Sequence, residues 1–134
     1  MFSMRNIFLL ALIIFYRVTA FAQSDSTNQD LSLLYKCWTY SREEATPSSP
    51  DIYRPCTYKT FPASRFRDRI EFETNGKCSY LYLDPVDRHH MVPGKWKYDK
   101  LKRSIIIFDS SGDIVYNFKL ISIDENMLKL ERLK

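Results

Sequence analysis

The sequence predicts an all-β domain, an antiparallel up-and-down small barrel of seven to eight strands behind a short N-terminal helix. Three observations carry this. From residue 69 onward, short runs rich in β-branched and aromatic residues are separated by gaps of a few residues, the spacing of hairpin-connected strands. No stretch has helix-period patterning long enough for the crossover of a βαβ unit. Aromatic residues make up 15% of the chain, which suits a β-rich core. A meander of that many strands avoids exposed edges by closing on itself.

Residues 1–22 read as a secretory signal peptide. Arg5 supplies the positive start, residues 7–16 (IFLLALIIFY) the apolar core, and Ala20-Phe21-Ala22 a small-x-small cleavage site. A spanning helix needs about 20 apolar residues. This run is about half that before Arg17 interrupts it, so no membrane span is expected after cleavage. Cys37 lies well beyond the apolar core, which argues against a lipid anchor. Cleavage removes two arginines and no acid, so the formal net charge falls from +4 to +2. Lys and Arg never run beyond two in a row, and nucleic acid is not an expected partner. The remaining chain suits one domain, secreted or periplasmic, and is read as a monomer.

Residues 23–33 form a polar, flexible lead-in and the short helix, with Asp30 as its N-cap and Leu31, Leu34 and Tyr35 on one face. The barrel domain is assigned to residues 34–134. Residues 38–43 are extended and alternating, and residues 45–50 (ATPSSP) break them. The chain then makes one long crossing to residue 68. Residues 69–73 and 78–83 flank Asn75-Gly76, the strongest short hairpin signal. A two-residue loop pairs Phe72 with Ser79 and Ile70 with Leu81, placing Ile70, Phe72, Leu81 and Leu83 on one face. Residues 84–93 read as a loop, and residues 94–98 as a strand with Trp96 and Tyr98 on one face. Residues 104–108 (SIIIF) are apolar on both faces, as in a covered strand. Residues 114–123 and 127–133 complete the set.

Several spaced motifs carry a resemblance. They are Ser41-x-Glu43-Glu44, Tyr53-Arg54-Pro55, Phe61-Pro62-x-Ser64-Arg65-x-Arg67, Asn75-Gly76, Asp87 and Gly94-x-Trp96. Over about residues 34–130 the chain resembles an uncharacterised family of small secreted bacterial lipocalin-like proteins. The resemblance implies a lipocalin-like barrel and brings no activity with it. The usual lipocalin start, Gly-x-Trp, is here Lys36-Cys37-Trp38.

Three cysteines meet an oxidising compartment. Three pairings are open. Cys56–Cys78 is preferred, because it pins the long crossing onto a hairpin and contributes roughly 3 kcal/mol by loop closure. Cys37 is then a half-buried small apolar residue beside Trp38.

The charged stretch is the candidate site. If Trp38 and Tyr40 face the interior, alternation puts Arg42 and Glu44 inside and Glu43 outside. Arg54, Arg65 and Arg67 are natural partners for a buried carboxylate, and with Asp87 they ring one barrel mouth. The cluster reads either as a structural network holding the long crossing or as a pocket for a carboxylate, a phosphate or another polar group. Trp38, Tyr40, Phe72 and Trp96 face the interior and either line a cavity or fill it, since an eight-stranded barrel is just wide enough for its own side chains.

Catalytic chemistry finds little support. Glu43 and Glu44 point apart and cannot flank one glycosidic bond. His89-His90 stands without H-x-H or HExxH spacing, so no metal is expected. There is no G-x-S-x-G, and three glycines leave no phosphate cradle, so neither a catalytic residue nor a cofactor is expected. The expected function is a non-catalytic module that binds a small-molecule or cell-envelope ligand at an Arg-rich mouth. The alternative is a structural or protein-interaction module of the envelope.

Overall fold

The computed structural model describes residues 30–58, 61–86 and 88–134. The signal peptide and most of the lead-in expected at residues 1–33 lie outside them. Eight strands follow in order: β1 (Cys37–Tyr40), β2 (Asp51–Pro55), β3 (Arg69–Phe72), β4 (Lys77–Tyr82), β5 (His90–Asp99), β6 (Ser104–Phe108), β7 (Ile114–Ile123) and β8 (Leu128–Arg132). They form one closed antiparallel barrel in the order β1-β2-β8-β7-β6-β5-β4-β3.

From β3 to β8 each strand pairs with the next, as a meander does. The first hairpin departs from the up-and-down order. β1 lies between β2 and β3, while β2 pairs with β8. Strands β2 and β3 therefore run the same way on either side of β1. After Pro55 the chain must travel back along the barrel before β3 begins, and the described residues of that return, 56–58 and 61–68, form a strap on the outer wall. The strap explains two buried polar residues. Thr39 and Ser41 have the outward parity of β1, yet only 3% and 1% of each is exposed. The Thr39 hydroxyl donates to the Asp68 carbonyl at 3.1 Å.

Where a helix was expected, Leu31–Leu34 forms a single 3-10 turn. Asp30 Oδ1 accepts from the Ser32 N–H at 2.9 Å. Leu34 is buried at one end of the barrel, and its carbonyl accepts from Trp38 Nε1 at 3.2 Å.

The β3–β4 hairpin forms at Asn75-Gly76, but its register is shifted by one residue. Phe72 faces Cys78 and Ile70 faces Tyr80. The Glu73 N–H donates to the Lys77 carbonyl at 3.0 Å across a three-residue connection, with Gly76 at φ +76°. A left-handed glycine in third place is the three-residue hairpin form, not the two-residue one. Because side chains alternate, the slip turns Cys78 and Tyr80 inward and leaves Leu83 50% exposed. β5 begins at His90, so residues 90–93, expected as loop, pair with β4 instead.

The inward face is continuous and apolar. Trp38, Tyr53, Ile70, Phe72, Tyr80, Ile105, Ile107, Phe118, Leu120, Leu128 and Leu130 are all buried in one cluster. The outward positions carry exposed charges, among them Arg69, Glu71, Lys77, Lys95, Lys97 and Lys119. That polarity is the reverse of a lipid-facing barrel, whose outer band is apolar. No helix among the described residues is long and apolar enough to cross a membrane.

Candidate functional site

Strand β1 stops at Tyr40, and Arg42–Glu44 is a 3-10 turn, so alternation does not carry the charged residues inward. Arg42 is exposed, with its guanidinium 5.3 Å from the Phe66 ring centroid. Arg54 has the outward parity of β2, opposite to buried Tyr53. Its Nε donates to Glu44 Oε2 at 2.8 Å and its Nη2 donates to Glu44 Oε1, which makes a fork. Its Nη1 donates to the Asn126 carbonyl at 3.1 Å. Hydrogen bonding from Arg54, opposed by burial, draws the Glu44 carboxyl down to about 2.

Arg67 meets Glu43, not Glu44. Nη1 and Nη2 reach the two carboxylate oxygens at 2.8 and 2.7 Å, and Nη2 also donates to the Pro62 carbonyl at 2.9 Å. The Phe61 ring centroid is 4.4 Å from the same guanidinium. Glu43, expected to face away, is thus the second acid of the cluster, and the Arg67 hydrogen bond lowers its pKa. Arg65 lies exposed on the strap, and Asp87 is outside the described residues. Arg42, Glu44, Arg54 and Arg67 are not gathered into one ring. Two forks form on the outer wall, each holding the turn after β1: Arg54 binds it to β2, and Arg67 binds it to the strap.

The disulfide joins Cys37 to Cys56, with Cα atoms 5.4 Å apart, and Cys78 is free. This corrects the expected Cys56–Cys78 bridge. Cys37 has the outward parity of β1 and sits where the strap leaves β2. Cys78 faces the core with 3% of its surface exposed, on the other side of the wall. Burial pushes its thiol up to about 11.

Of the residues expected to line a cavity, Trp38 and Phe72 are packed into the core. Trp96 is half-buried at the same end as Leu34, with the Phe72 ring 5.2 Å and the Tyr35 ring 6.1 Å away. Tyr40 lies at the opposite mouth, 5.6 Å from Tyr53. Side chains fill the interior between them, as a barrel of eight strands allows.

That opposite mouth holds charges of another origin. Arg132 continues the inward parity of Leu128 and Leu130 on β8. Asp51 continues that of Tyr53 on β2, and Asp68 precedes Ile70 on the same parity. The three, with Tyr40 and Tyr53, line an open pocket of about 210 Å³. The Arg132 guanidinium carbon lies 5.3 Å from the Tyr116 ring centroid and 5.7 Å from that of Phe118. Among the described residues, Asp51, Asp68 and Arg132 form no ion pair with one another. Tyr53 is 2% exposed, and burial, then the Asp51 charge, hold its hydroxyl above the ordinary tyrosine range. A groove of about 400 Å³ continues past Asp51 and Arg132 along Pro47, Pro50 and Glu131. Sequence reasoning missed these charges, although the signal was present: each sits two residues from a buried residue of a strand, Asp51 from Tyr53, Asp68 from Ile70 and Arg132 from Leu130.

No protein-family model, no curated protein and no solved structure matches the chain.

Proposed function

We propose that this protein is an exported, monomeric, non-catalytic lipocalin-like barrel that binds a small polar ligand at the mouth formed by Tyr40, Asp51, Tyr53, Asp68 and Arg132. One contrast carries the reading. On the outer wall, Glu43 and Glu44 are each satisfied by an arginine fork. At the mouth, two carboxylates and a guanidinium stand around an open pocket without pairing. Asp51 and Asp68 are half-buried and Arg132 is exposed, so these unpaired charges are open to a polar ligand arriving from solvent. Export is supported by the apolar N-terminal run and by the disulfide, a bond kept in oxidising compartments. The Arg-rich cluster expected from the sequence takes a structural role in this reading.

Native mass spectrometry of the protein from its own host tests the proposal. A retained small molecule is expected, and it should be lost in Arg132→Met. An empty wild-type protein with no thermal shift across a panel of small polar compounds would sink the binding reading. An envelope structural module would then be favoured.

A further inference from the structure

We infer that the mouth selects a small zwitterion of the α-amino-acid type, its ammonium held between Asp51 and Asp68 and its carboxylate on Arg132. The inference rests on the binding reading above and adds the ligand's chemistry.

The charges come first. Five side chains line the pocket, and two of them are carboxylates and one a guanidinium. A simple anion satisfies Arg132 but faces two like charges. A simple ammonium satisfies the carboxylates and leaves Arg132 unpaired. A neutral sugar leaves all three charges without a counter-charge. A molecule with both groups on one carbon answers all three, and guanidinium takes a carboxylate through paired hydrogen bonds.

Arg132 lies exposed at the mouth beside two aromatic rings, Tyr116 and Phe118. A guanidinium near aromatic rings keeps its N–H donors for an acceptor such as a carboxylate.

Tyr53 is a separate observation. Its ring is almost wholly buried, 2% exposed, and the residue lines the pocket. Among the described residues its hydroxyl makes no hydrogen bond, while Tyr53 feels the charges of Asp51, Arg132 and Asp68. The ring is buried, but the hydroxyl itself is not among the fully buried polar atoms that lack a partner, so it opens to the pocket. A hydroxyl left open at a pocket wall lacks a partner that a ligand ammonium or carboxylate supplies.

Size agrees. The pocket of about 210 Å³ equals roughly seven water volumes at about 30 Å³ each. That accommodates the backbone of an amino acid and a short side chain. A longer side chain leaves along the groove beside Pro47 and Pro50, so selectivity falls on the zwitterion more than on the side chain.

Isothermal titration of the disulfide-bonded protein with alanine, phenylalanine, ethylamine, propionate and glucose tests this. Alanine and phenylalanine are expected to bind, and ethylamine and propionate at least about tenfold more weakly, the equivalent of one lost ion-pair contact. Asp51→Asn, Asp68→Asn and Arg132→Met are each expected to weaken alanine binding about tenfold or more. Lys97→Gln, on the outer wall, should leave it unchanged. Circular dichroism melts identify any variant that does not fold, and the ligand series on the wild-type protein stands without the variants. Glucose binding without amino-acid binding would overturn the inference and keep the binding reading. Equal binding of alanine and ethylamine, or alanine binding indifferent to Arg132→Met, would overturn the assignment of the carboxylate. No binding of either amino acid overturns the inference, and an empty protein from the host overturns the binding reading with it.

Discussion

Arg54 Nε donates to Glu44 Oε2 at 2.8 Å across the outside of the barrel, from the outer face of β2 to the turn that follows β1. A second guanidinium nitrogen completes the fork. The same arginine stands 5.0 Å from the Tyr58 ring on the strap and donates to the Asn126 carbonyl of the β7–β8 turn. One side chain thus gathers three separate parts of the chain around the hairpin that breaks the meander.

Glu44→Gln is expected to cost about 1–2 kcal/mol at neutral pH, a value reduced for the partial solvent exposure of the pair. The Glu44 carboxyl is drawn down to about 2 from an ordinary 4.5. Its contribution is therefore complete above about pH 4.5 and is lost as pH falls towards 2. Urea unfolding at a series of pH values should show the gap between wild type and variant closing over that range. A gap that stays constant down to pH 2 would mean the fork is not its source.

Reducing the Cys37–Cys56 bond should free the end of the strap next to β2. The cysteines are 19 residues apart. Closing a loop of that size contributes about 3 kcal/mol on the chain-entropy model. The double variant Cys37→Ser, Cys56→Ser is expected to lose about that much in denaturant unfolding. A non-reduced digest should contain the Cys37–Cys56 peptide pair, and a Cys78-linked pair would contradict the assignment.

Cys78 should resist alkylation in the native protein at neutral pH and react quickly in denaturant. It is 3% exposed and its thiol is pushed up to about 11, so almost none of it is thiolate. Iodoacetamide labelling followed by mass spectrometry reads the rate. Native labelling as fast as in denaturant would mean that the β4 wall opens readily.

Gly94 is the most tightly packed of the three glycines. A Cβ there would lie 2.5 Å from the Phe108 carbonyl oxygen and 3.0 Å from a Tyr80 ring carbon. Gly94→Ala is expected to cost about 3 kcal/mol, the upper range for overpacking. Gly112→Ala is the control. Its φ is +91° but nothing lies within 4 Å of the new carbon, so the cost should stay near 1 kcal/mol. Thermal melts of the two variants give the order, and a larger loss at Gly112 would refute the steric account.

Much of the barrel was legible along the chain. The strands from β3 to β8 follow from alternation and from turn residues, which act over a few neighbours. The β3–β4 turn was found at Asn75-Gly76, but its length was misread, and one residue of error exchanged Leu81 for Tyr80 on the inner face. β2 was missed because Pro50, Arg54 and Pro55 conceal a five-residue strand inside a stretch that reads as loop. The candidate site was harder. Asp51, Asp68 and Arg132 each carry a parity signal, but they sit in different parts of the chain and meet only when β2 pairs with β8 and β1 with β3.

By itself the sequence determined the all-β class, the hairpin-rich second half and the aromatic content of the core. Strand period and turn chemistry are local, and those features need nothing more. Only the tertiary structure decided the reversed first hairpin, the strap that buries Thr39 and Ser41, the Cys37–Cys56 bridge and the partner of each charge. Those depend on which strands lie side by side, a choice made by closing the barrel. The turn after β1 carries Glu43 and Glu44 onto the outer wall for that reason, and the mouth is left to Asp51, Asp68 and Arg132.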